Sequence, residues 1–97
     1  MNKAYRQFKE QMLRRYPMCE VCGQRPGKEI NHCLYHKHGG IYDTPENCQI
    51  VCPECRETQK DNSRENREKH WTKRVSEGYE MVAYNQCVPE YMRVGYE

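Results

Sequence analysis

With 97 residues, 36% of them hydrophobic and only one Trp and one Phe, the chain can bury one modest core, which excludes a multidomain enzyme and implies a staple. Its net charge of +2 is unevenly spread: Lys3, Arg6, Lys9, Arg14 and Arg15 stand against Glu10 at the front, while Glu77, Glu80, Glu90 and Glu97 outnumber Arg93 at the back. That distribution suits a protein that meets phosphate with one face. No apolar run after Met1 reads as a signal segment and none is long enough to cross a membrane, so the seven cysteines are expected in a reducing cytosol, as metal ligands and thiols rather than disulfides.

The first expected element is a helix over Lys3–Arg15. Tyr5, Phe8, Met12 and Tyr16 recur at steps of three and four, an apolar stripe, and cationic side chains fill the rest of the circumference until Pro17 stops the helix. The basic face is either the solvated side of a docking helix or a phosphate contact; the sequence supports both.

Two Cys-x-x-Cys knuckles follow. Cys19, Cys22, Cys52 and Cys55 offer four thiolates in two close pairs, which meets the tetrahedral, soft-ligand demand of Zn2+ in a closed structural site. Between the knuckles, residues 24–27 read as a turn and 28–34 as a strand; 35–46 read as a loop broken by Gly39-Gly40 and Thr44-Pro45, and 47–51 as a returning strand. On the first strand Glu29, Asn31 and Cys33 should share one face, and Ile30, His32 and Leu34 the other. Pro53, suited to a first helical turn, opens a helix carrying Cys55 and Arg56.

Residues 57–69 contain no apolar side chain. A helix polar all round is not held by burial, although Glu65 with Lys69 and Arg64 with Glu68 can pair along its surface. A break is expected at Asp61-Asn62-Ser63, with Asn62 and Glu65 resembling the start signal of a second helix that runs to Ser76. Trp71 and Val75 are its expected apolar anchor, His70 lies on its surface, and Gly78 ends it. The tail reads as two extended pieces, 79–84 and 91–96, around Val88-Pro89, with Cys87 in the core. Its tyrosines suit core or protein contact, because the glutamates around them repel a phosphate backbone; such an acidic, Tyr-rich edge would suit a protein partner or a homodimer.

Asn31-His32, then Gly39-Gly40, then Pro45-Glu46-Asn47-Cys48-Gln49-Ile50-Val51-Cys52-Pro53-Glu54-Cys55 resembles the HNH nucleases, and within them the subgroup with two zinc knuckles common in phages and mobile elements. The likeness implies a small α+β fold in one domain: a zinc-stapled ββα-metal core over 19–60, a basic helix before it in 1–18, and a charged helix with a Tyr-rich extension after it in 61–97. It also implies a small endonuclease that hydrolyses DNA phosphodiesters in the cytoplasm, that of a bacterial host if the chain is phage-derived. His32 matches the family's general base, and Asn47 the residue that braces the loop and orients that histidine. A separate hard cation, Mg2+ or Mn2+, would neutralise charge on the scissile phosphate. Lys3, Arg6, Lys9, Arg14 and Arg15 would contact the nucleic acid.

In that family the cation is held by an acidic residue or a His just before the base, and by a His or Asn just after the last knuckle cysteine. Here those positions hold Asn31 and Arg56, a weak ligand and a cation without a lone pair. Three readings follow. Glu29, on the face of Asn31, with His36 or His38 from the loop, rebuilds a metal site. Alternatively, Arg56 bonds the phosphate oxygens directly. In the third, chemistry is lost and the scaffold binds nucleic acid, or a protein as a phage-encoded inhibitor of a host machine. Cys33 and Cys48 either join His36 and His38 in a second zinc site or are small buried thiols. His36 and His38, on either side of Lys37, are a phosphate-facing cluster or ordinary loop histidines.

Overall fold

Helix α1 spans Lys3–Arg15, as its apolar spacing predicts. Asn2 caps it, its Oδ1 accepting from Tyr5 N at 2.8 Å. The stripe docks on the sheet: Met12 and Tyr16 are buried with Ile30, Cys48 and Ile50, and Tyr5, Phe8 and Leu13 pack against them. The computed structural model describes residues 2–81, so Cys87 and the extended pieces expected in the tail beyond residue 81 lie outside the described residues.

Strands β1 (Glu29–His32) and β2 (Cys48–Val51) form an antiparallel pair in the register Glu29 with Val51, Ile30 with Ile50, Asn31 with Gln49 and His32 with Cys48. Both are shorter than expected. Because β1 ends at His32, Leu34 leaves the alternation and joins Cys33, Trp71 and Met81 in a separate cluster instead of facing with Ile30. Alternation leaves every second residue's polar backbone groups pointing out of the pair. On the β2 edge Ile50 gives its N–H to Glu20 Oε2 (2.6 Å) and accepts from Glu20 N (2.8 Å). On the β1 edge Ile30 O accepts from Arg56 Nη2 at 2.8 Å. Gly27 permits the first knuckle to lie this close, since a Cβ there would fall on Ile50 Cγ2.

Helix α2 is the short Pro53–Glu57 turn, with Pro53 at its start. The predicted break follows, and α3 runs Arg64–Ser76, capped by Ser63 rather than Asn62: Ser63 Oγ accepts from Asn66 N at 3.0 Å. Trp71 is buried, as expected of an anchor, but the expectation that the polar stretch is not held by burial fails, because α3 also buries Asn66, His70 and Arg74. Val75 is 51% exposed and is no anchor, and His70 is 2% exposed rather than on the surface.

Arg74, fully buried, is the hub. Its guanidinium bonds Glu20 at 2.7 and 3.0 Å, Pro45 O at 2.7 Å and Cys48 O at 2.9 Å, and lies 4.2 Å over the Tyr16 ring. One side chain thus joins α3 to the first knuckle, the loop, β2 and α1. Burial alone would raise Glu20, but the hydrogen bonds and charge of Arg74 more than offset it and hold the carboxyl below 4.5. Across the other sheet face, Asn66 Nδ2 donates to Gln49 Oε1 (2.6 Å) and Asp61 O (2.8 Å). A helix without apolar periodicity is therefore held by satisfied polar groups. Among the described residues, no helix is long and apolar enough to cross a membrane.

Two stability tests follow. Arg74→Ala should cost about 3–5 kcal/mol in urea unfolding because it strands Glu20 without its partner, whereas Arg64→Ala, at an exposed pair with Glu68, should cost less than about 1 kcal/mol. Burial depresses His70 from 6.5 to about 4, so the unfolded chain takes up a proton before the folded one does. Stability should be at its plateau above pH 6.5, fall as pH drops, and by about pH 4 have lost about 3 kcal/mol that His70→Gln removes from the profile.

Candidate functional site

The sulfurs of Cys19, Cys22, Cys52 and Cys55 all lie within 4.8 Å of one another, and Cys22 Sγ stands 3.9 Å from Cys52 Sγ. Zinc bonded at about 2.3 Å sets tetrahedral sulfurs about 3.8 Å apart, so these four can hold such an ion after a small contraction. The knuckle turns aim N–H groups at the sulfurs: Val21 N at Cys19 and Cys55 N at Cys52, each at 3.4 Å. The backbone N–H of Gln24 is the largest influence that brings the Cys22 thiol down to about 6. Four sulfurs fill a tetrahedron, which makes the site structural.

Among the described residues these four are the one group of three or more His, Cys, Asp or Glu side chains gathered closely enough to hold a metal. The alternative second zinc site is therefore not formed. Cys33 and Cys48 sit in separate apolar clusters, and burial pushes both thiols up to about 12.

His32, 4% exposed, closes β1 with Nε2 2.9 Å from Asp43 Oδ1. A carboxylate accepts only, so Nε2–H donates and Nδ1 keeps its lone pair. The same Asp43 oxygen accepts from Gly39 N at 3.0 Å. Gly39 and Gly40, at φ 88° and 53°, supply the left-handed backbone that lets the loop fold over the histidine. Asn47 closes the loop base: its Oδ1 accepts from Tyr35 N at 2.6 Å, and its Nδ2 donates to Tyr35 O and Tyr42 O, each at 2.9 Å. The His38 ring lies 4.0 Å from the His32 ring, and Tyr5 of α1 lies 6.5 Å from each. Burial first, then the neighbouring His38, lowers His32 below 6.5 against the pull of Asp43, so the imidazole is neutral at pH 7.

Around the β1 edge the arrangement differs from a cation site. Asn31 turns its amide inward, Nδ2 donating to Gln49 Oε1 (3.1 Å) and Asp61 O (3.0 Å). Besides its bond to Ile30 O, Arg56 places Nε 3.4 Å from Glu29 Oε2 and Nη1 3.9 Å from Asp61 Oδ2. The carboxylates nearest this corner already face a fixed positive charge, and the residues do not fit a hard divalent cation.

The family model for HNH endonuclease matches residues 19–70, just over half of the chain. The chain belongs to the HNH endonuclease family. No curated protein and no solved structure matches it. The small α+β fold, with its two-stranded sheet, following helix and four clustered cysteines, is consistent with the HNH ββα-metal core.

Within this HNH domain the structure gathers His32, His38 and Asn47 about one loop, and sets Glu29 beside Arg56. His36 is exposed. Of the basic residues on α1, Lys3, Arg6, Arg14 and Arg15 are exposed and Lys9 is half-buried, and the Arg15 guanidinium lies over the rings of Tyr16 (5.5 Å) and Tyr79 (5.1 Å). Asp43, Asp61 and Tyr5 were not legible as site residues. Asp43 precedes Thr44-Pro45 and reads as turn chemistry, and Tyr5 reads as one member of an apolar stripe. Cys55→Ser should lower bound zinc well below one ion per chain by elemental analysis and abolish cooperative thermal unfolding, since a structural zinc contributes folding free energy directly.

Proposed function

We propose that the protein is a small endonuclease that hydrolyses DNA phosphodiesters with His32 as general base. The observation that carries this reading is the buried His32–Asp43 pair at 2.9 Å. Asp43 holds the tautomer in which Nδ1 can take a proton, and burial keeps the ring neutral and ready. Water attacks phosphorus as its proton passes to Nδ1; one ester oxygen leaves with the bonding pair and is protonated by solvent. Asn47 positions the loop that carries Asp43, and Lys3, Arg6, Lys9 and Arg14 on α1 would hold the flanking phosphates. Mg2+ or Mn2+, if bound, would supply charge neutralisation at the scissile phosphate. The β1 edge does not offer it a fitting set of ligands, and no step here depends on it.

A second reading draws on that same corner: the tied-up Asn31 and the presence of Arg56 suit a scaffold that binds nucleic acid or a host protein without cleaving. Plasmid nicking separates the two. His32→Ala and Asp43→Asn should each slow nicking by about 10²–10⁴-fold while leaving the fold intact by circular dichroism. The wild-type rate should rise with pH through a midpoint below 6.5 and then level off, because only the deprotonated ring serves as base. Wild-type protein that nicks under no condition, with or without Mg2+ or Mn2+, would leave the binding reading standing.

A further inference from the structure

We propose that Arg56 takes the place of the catalytic cation, its guanidinium bonding the scissile phosphate from the β1 edge so that cleavage runs without a divalent metal. The inference rests on the nuclease reading above.

Arg56 is anchored firmly at one point and loosely at two. Its Nη2 lies 2.8 Å from Ile30 O, full hydrogen-bond distance. Its approaches to Glu29 and Asp61, 3.4 and 3.9 Å, are well beyond the 2.7–2.9 Å or so of a formed charged hydrogen bond. Of five N–H donors one is committed, and the side chain is 40% exposed, so a forked face remains for two phosphate oxygens. Its anchor lies two residues before His32 on the same strand, about 7 Å along β1. The positive charge of Arg56 weighs, after burial and His38, against protonation of His32.

The same geometry keeps a free dication out. Asp61 is 7% exposed at its side chain and Glu29 is 44% exposed, and the two carboxylates share Arg56 as their common counter-ion. A dication would have to settle beside that fixed positive charge with Asn31 turned toward Gln49. In the step itself water's oxygen bonds to phosphorus and its proton goes to His32 Nδ1. The ester oxygen departs with the bonding pair and takes a proton from solvent, while Arg56 holds the negative charge that builds on the non-bridging oxygens.

The test uses the full chain, with zinc content measured in every sample and the buffer stripped of other metals. Wild-type nicking should be unchanged by millimolar Mg2+ or Mn2+. Arg56→Ala should lose about 10²–10³-fold, and Arg56→Lys should recover part of that by restoring charge without the fork. Circular dichroism should show both variants folded. Arg56→His removes the fixed charge and offers a ligand to Glu29 and Asp61, so it should bind one Mn2+ by electron paramagnetic resonance and nick only when Mn2+ is present; wild type should bind none. Stimulation of the wild type by more than about tenfold with either ion overturns the inference and leaves His32 as base. So does an Arg56→His variant that ignores Mn2+. A wild type that nicks nowhere, or a His32→Ala variant as fast as wild type, overturns the nuclease reading and this inference with it.

Discussion

The buried pair of Arg74 with Glu20 is the contact on which the arrangement of this molecule depends. Glu20 lies inside the first knuckle and lends its carboxylate both to Arg74 and to the Ile50 backbone, while Arg74 reaches the carbonyls of Pro45 and Cys48. Two charges removed from water are tolerable only when every donor and acceptor around them is matched, and here the matching is nearly complete. Among the described residues, His70 Nδ1 is the buried side-chain polar atom without a partner, while its Nε2 donates to Glu46 O at 2.8 Å. The helix that supplies Arg74 thereby fixes the far end of the loop that carries Asp43.

The two outer edges of a two-stranded sheet would ordinarily be a liability, with unpaired backbone groups facing water. This fold assigns each edge to a charged side chain. Glu20 covers Ile50 on one side, and Arg56 covers Ile30 on the other. The second assignment turns a backbone necessity into a placement device: the guanidinium that satisfies the strand edge is anchored two residues before the histidine that ends that strand.

Much of the core was legible from residue spacing. The knuckle intervals gave the four-thiol cluster, the three-and-four spacing gave α1, and the order of strand, loop, strand and helix followed from Gly39-Gly40 and Pro53. The limits lay where polar residues do the work of apolar ones. Nothing in the composition of residues 57–69 shows that Asn66 will be buried against Gln49 and Asp61, because such bonds join residues far apart in the chain and leave no local period. His70 and Arg74 were hidden for the same reason. Asp43 was hidden by its neighbours, since an Asp before Thr-Pro is common in turns for local reasons and its bond to His32 is a tertiary one.

The burial that keeps Cys33 and Cys48 as thiols bears on how the molecule would age in an oxidant. A protonated, enclosed sulfur is a poor nucleophile toward peroxide, whereas Cys22, at the partly exposed rim of the cluster, would be kept as a thiolate by a bound ion and lies open to attack. Oxidative damage would therefore begin at the staple and not in the core. The first lesion would be release of the ion and loosening of the second knuckle, which carries Arg56, before any apolar contact of the sheet had changed.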